Sequence, residues 1–125
     1  MKKRIRQLCF FFLFFAAATL QSFNYGNIIG VVTDRETGEP LAGSNIMLEN
    51  TDLGAASDTN GEFLILQISP GTYTVVFSRI GYARLRIENV TISANRTTFL
   101  DAKLSSEALE MEELTVVAEK PVIQK

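Results

Sequence analysis

The stretch GEFLILQISPGTYTVVFSR, residues 61–79, decides the fold. Around Pro70-Gly71, a dipeptide that punctuates chains as a tight turn, lie two short apolar runs. In the second run Tyr73, Val75 and Phe77 fall on one face, and Thr72, Thr74 and Ser78 on the other. This is the period of two that a strand with one buried face requires. The first run reads as the preceding strand, with Phe63, Ile65 and Ile68 directed inward.

The same grammar continues in both directions. Upstream, NIIGVVTD (27–34) is β-branched, with Ile28, Gly30 and Val32 on one face. DRETGEP then supplies turn residues Gly38 and Pro40, and GSNIMLE (43–49) alternates again, with Ile46 and Leu48 inward. Downstream, Gly81-Tyr82 marks a turn, and residues 83–93 and 96–104 give two further strands. Short strands with turn signals at this spacing, and no window of helical period, predict an all-β sandwich of about seven strands over residues 27–104. The expected core is Ile28, Val32, Leu41, Ile46, Leu48, Phe63, Ile65, Ile68, Tyr73, Val75, Phe77, Ile87, Val90, Ile92, Leu100 and Leu104. A domain of this size buries a modest core and no deep enclosed site.

The ends are of a different kind. Lys2, Lys3, Arg4 and Arg6 precede LCFFFLFFAAATL (8–20), an apolar run of 13 residues. That is too short to span a bilayer and has the flanks of a signal peptide, read here as residues 1–26 with cleavage between 18 and 26. Cys9, the single cysteine, lies early in this run, where it serves neither lipidation nor a disulfide. Residues 1–26 hold four of the 12 basic groups and none of the 14 acidic ones, so the remainder carries a net charge of −6. That balance argues against nucleic acid as a partner. After the strands, SSEALEMEE (105–113) reads as an acidic linker, and LTVVAEKPVIQK (114–125) as an extended apolar segment ending the sequence.

Few residues invite chemistry. The sequence has no histidine, which removes the commonest general base and metal ligand. Ser44, Ser57, Ser69 and Ser78 have neither histidine nor cysteine to activate them, and most carboxylates fall in turns or the linker, so the reading is a non-enzyme without cofactor or metal. Asp58-Thr59-Asn60-Gly61 with Glu62 invites a calcium loop, but Asn-Gly is first of all a turn signal, and the turn reading takes precedence. Among the aromatics, Phe63, Tyr73 and Phe77 sit at core parity; Tyr82, beside Gly81, is the one candidate for an exposed platform on which a glycan could stack.

Taken together, residues 27–104 resemble the carboxypeptidase-regulatory-like domain, a transthyretin-like Greek-key β-sandwich. The resemblance rests on Gly30/Val32, Thr37-Gly38-Glu39-Pro40-Leu41, Asp58/Gly61/Phe63, Pro70-Gly71-Thr72-Tyr73 and Gly81-Tyr82. With the leader, the acidic linker and the last segment, the chain is similar to the N-terminal extension of TonB-dependent, SusC-like outer-membrane receptors. The resemblance implies that Leu114, Thr115, Val116, Val117, Ala118 and Glu119 form a TonB-box-like strand that pairs with periplasmic TonB by adding to its sheet. It also implies a plug and a transmembrane barrel, which these 125 residues do not include, and extends the expected partners to a lipoprotein. The expectation is therefore an exported periplasmic domain of a nutrient-import receptor. The competing expectations are a free module that binds glycan or another envelope protein, and a structural spacer whose last strand packs into the sandwich.

Overall fold

Nine strands and their turns make up the described residues, 24–107 and 113–118, of the computed structural model. The leader up to residue 23, the middle of the acidic segment and Glu119 lie outside them. The strands are β1 (Gly26–Asp34), β2 (Asn45–Leu48), β3 (Gly54–Ala56), β4 (Glu62–Ile68), β5 (Gly71–Ser78), β6 (Leu85–Ile92), β7 (Thr97–Phe99), β8 (Ala102–Leu104) and β9 (Leu114–Val117). One sheet runs β4-β1-β7, with β8 also on β1; the other runs β3-β2-β5-β6-β9. The sandwich of about seven strands is thus nine, because short β3 flanks β2, the last stretch before residue 104 divides into β7 and β8, and β9 joins as an edge.

Period two places the core. Ile28, Val32, Ile46, Leu48, Phe63, Ile65, Val75 and Phe77 are all buried between the sheets. Phe63 of one sheet meets Phe77 of the other edge-to-face, with ring centroids 5.6 Å apart and planes at 76°. Two β-bulges explain why the inward set breaks strict alternation. Opposite Gly26–Ile28, β4 spends an extra residue between Ile65 and Ile68, and Gln67 there has φ 60°. Opposite Tyr73–Val75, β6 does the same between Ile87 and Val90, with Asn89 at φ 64°. An inserted residue resets parity, so both flanking apolar residues point inward. Tyr73 and Leu100 are only partly buried, while Ala83, Leu85 and Ala102 join the core.

Two glycines are required by close approach. A Cβ on Gly30 would lie 1.8 Å from the Leu100 carbonyl oxygen. A Cβ on Gly61 would lie 2.5 Å from the carbonyl of Val32, and its φ of +77° is one that side chains disfavour.

The outer face of the first sheet carries an exposed apolar row. Ile29 pairs with Leu64 on one side and Phe99 on the other, and Leu66 lies beside them. Phe99 is 80% exposed and Leu64 48%.

Two substitution sets separate these environments by thermal unfolding. Phe77→Ala should cost about 3–5 kcal/mol, and Phe99→Ser should stay within about 0.5 kcal/mol of the parent. Gly30→Ala should destabilise at least as strongly as Phe77→Ala, because the obstruction is backbone and cannot rotate away; a near-neutral Gly30→Ala would contradict this packing.

A strand edge as candidate functional site

The segment read as TonB-box-like is described up to Ala118, and it does not hang free. Leu114–Val117 forms β9, lying parallel to β6 in the register Leu85↔Leu114, Arg86↔Thr115, Ile87↔Val116 and Glu88↔Val117. The Leu114 N–H donates to the Arg84 carbonyl at 2.9 Å, and the Ala118 N–H to the Glu88 carbonyl at 2.6 Å. Leu114 and Ala118 pack against the core, whereas Val116 and Val117 are 42% and 52% exposed. The expected tail is therefore an edge strand, stabilised because it covers the apolar edge of β6. Glu119 is not among the described residues.

The segment expected to be linker also begins inside the fold. Ser105 is buried, and its carbonyl accepts from the Ala83 N–H at 2.8 Å. Ser106 bridges to Tyr82, and the Glu107 N–H donates to the Gly81 carbonyl at 3.0 Å.

Tyr82 is not the exposed platform that its place at a turn suggested. It is partly buried and packed against the core. Its hydroxyl donates to Asp34 Oδ2 at 2.6 Å, and the Arg79 guanidinium lies 5.4 Å from its ring centroid. Arg79 is itself fixed, its Nε donating to the Ala42 carbonyl at 2.7 Å. Asp34 Oδ1 also accepts from the Glu36 and Thr37 N–H groups. The cluster ties the first turn to the 79–82 turn. Sequence reasoning missed it because Asp34 and Tyr82 are far apart in the chain and each looks like an ordinary turn residue.

The other polar candidates are also spent on structure. Asp58 Oδ1 accepts from the N–H groups of Asn60 and Glu62, both at 2.9 Å, so it closes a turn. Ser57 Oγ donates to the Leu41 carbonyl at 2.6 Å and accepts from the Ser44 N–H at 2.9 Å. A polar cleft of about 320 Å³ lies among Glu49, Asn50, Thr51, Thr72, Tyr73, Thr74 and Asn89, but Tyr73, its one aromatic wall, commits its hydroxyl to the Ser69 carbonyl. Among the described residues no group of acids is placed to hold a metal ion.

Two packed sheets joined by crossovers, with no helix among the described residues, define a β-sandwich. The chain belongs to the CarboxypepD_reg-like domain family, whose model matches residues 28–116. That span continues past the expected boundary at 104 and takes in most of β9. The chain is distantly similar to a TonB-dependent receptor of Formosa agariphila, 26% identical over 124 residues. The match covers 94% of this chain but spans only 11% of that relative. Among solved structures, a chain of a type II cohesin–X-dockerin complex from Acetivibrio cellulolyticus aligns at 26% identity with a TM-score of 0.54, covering 62% of this chain and 52% of that one. A Bacteroides uniformis protein named for carbohydrate binding shares the fold at 19% identity and a TM-score of 0.51, over 63% of this chain and 40% of its own.

The Tyr82–Asp34 bond has a pH signature. The Tyr82 hydroxyl, followed by the neighbouring backbone N–H groups, holds the Asp34 carboxyl below its ordinary value of 3.8; the same bond raises Tyr82 above 10.0. Asp34 therefore contributes stability in full above pH 3.8 and loses it as pH falls through its lowered folded value. Tyr82 contributes in full below pH 10.0 and loses it as pH rises through its raised value. In Tyr82→Phe, the Asp34 carboxyl followed by NMR should titrate closer to 3.8 than in the parent. An unchanged midpoint would mean that the bond is not formed in solution.

Proposed function

We propose that this chain is a non-catalytic, periplasm-facing domain from the N-terminal end of a TonB-dependent outer-membrane receptor for nutrient import. In this reading β9 is the strand that pairs with a TonB-like energy-transducing protein. The observation that carries it is the outer edge of β9, which no other described strand covers, in a chain related along 94% of its length to such a receptor. An extended strand with unused backbone groups can add to a partner's sheet; ladder bonds give affinity without demanding a strict sequence. The leader supplies export, and the net charge of −6 after it suits a protein partner better than a polyanion. The plug and barrel that perform import would lie in the remaining length of the receptor.

One observation favours a second reading. Docking of β9 on β6 is what a structural spacer would show, its last strand serving only to finish the sandwich.

Mixing the chain with the periplasmic domain of a TonB protein separates the two. The receptor reading expects saturable binding, weakened about tenfold or more by Val116→Pro, since proline removes a ladder donor and unseats the strand. If the parent chain shows no binding, the spacer reading stands instead.

A further inference from the structure

Resting on the receptor reading, we propose that the partner strand adds to the outer edge of β9 while β9 stays docked on β6. The sandwich then contributes a ready-made sheet edge, and pairing runs through the backbone of Thr115 and Val117.

The hydrogen-bond pattern separates the two sides of β9. In a parallel pair, alternate residues of a strand bond to one neighbour and the residues between turn their N–H and C=O groups the other way. Leu114 and Ala118 donate to Arg84 and Glu88, and the register advances one residue at a time between them. Leu114, Val116 and Ala118 therefore face β6. Thr115 and Val117 present their backbone groups to the outer edge, where no other described strand lies.

Release of β9 is the costlier route. It would strip the cover from Leu85 and Ile87, now only 4% and 7% exposed, and unseat Leu114 and Ala118 from the core. Addition to the outer edge breaks no ladder among the described residues. It also spares the partner most of the entropy of ordering these residues, because they are already extended.

The edge is also less blunted than those of β3, β4 and β7. Sheet edges are usually blunted by charge, proline, bulges or brevity. β3 and β7 are only three residues long, and β4 is bent by the bulge at Gln67. β9 reads Leu-Thr-Val-Val, four residues with no charge, proline or bulge, and Val116 and Val117 offer apolar contact on opposite faces.

The test is a lock. Ile87→Cys with Val116→Cys places two thiols on directly opposed residues of β6 and β9. The protein is the chain from residue 24 onward, which contains every described strand and omits Cys9. The probe is the periplasmic domain of a TonB protein. The oxidised, locked form is expected to bind within about twofold of the reduced form. Hydrogen exchange on the parent chain gives a second readout without any substitution. On binding, the Thr115 and Val117 amides should gain protection, with the Val116 amide protected before and after. Binding by the reduced but not the oxidised form, or loss of Val116 protection in the complex, would overturn the inference and leave the receptor reading intact. No binding by the parent chain would remove both.

Discussion

The sandwich depends on one close approach, that of the Leu100 carbonyl to the backbone of Gly30. β1 is paired along both edges, and on one of them it changes partner midway: β7 runs beside Asn27–Ile29, and β8 beside Val32–Asp34. Between the two the chain steps inward. The Leu100 N–H donates to the Ile29 carbonyl at 2.9 Å, and Leu100's own carbonyl occupies the space that a Cβ on residue 30 would need. The Val31 N–H, left without a ladder partner by this step, donates to Asp101 Oδ1 at 3.0 Å. Without the step β8 could not bring Ala102 and Leu104 into the core, and Ser105 could not reach Ala83. The path from Leu100 to Ser105 follows from that contact.

β9 is the least anchored element. A parallel strand needs a crossover, and here the path from β6 to β9 passes through β7 and β8 in the opposite sheet. Yet every fully buried side chain among the described residues lies at or before Ser105. To that core β9 adds two partly buried anchors, Leu114 and Ala118, and a short ladder on β6. Most of the strand lies within the family match, and its outer side carries the backbone groups of Thr115 and Val117. An edge strand's outward asset is its unpaired backbone.

The core was legible because period two survives in the residues themselves. Even the bulges left a trace: Ile65 with Ile68, and Ile87 with Val90, are apolar pairs that violate alternation and are all buried. The turns were legible for the same local reason, since Asp58 and Gly38 act on neighbours within a few residues. What the sequence hid is long-range. LTVV has the same pattern whether it hangs free or docks, because its parallel partner lies about thirty residues upstream and only three-dimensional register brings them together. Tyr82 read as exposed because its neighbours are a glycine and a turn, while the carboxylate that takes its hydroxyl sits 48 residues away. The row Leu64–Ile29–Phe99 was not legible, because its continuity across three strands needs the register.

The motifs that place the chain in its family are consumed by architecture. Gly30 and Gly61 admit backbone carbonyls, and the Gly38 N–H closes the first turn onto Asp34 at 2.8 Å. Asp58 caps a turn, and Tyr82 ties Asp34 to the end of β5. The same residues thus specify the sandwich, a fold does not by itself fix a function, and among the described residues some groups are left unused by the fold. Here those are the outer apolar row, which is side chain, and the open edge of β9, which is backbone. Of the two, only the backbone edge carries direction and register, and hence only it can fix how a partner strand is aligned.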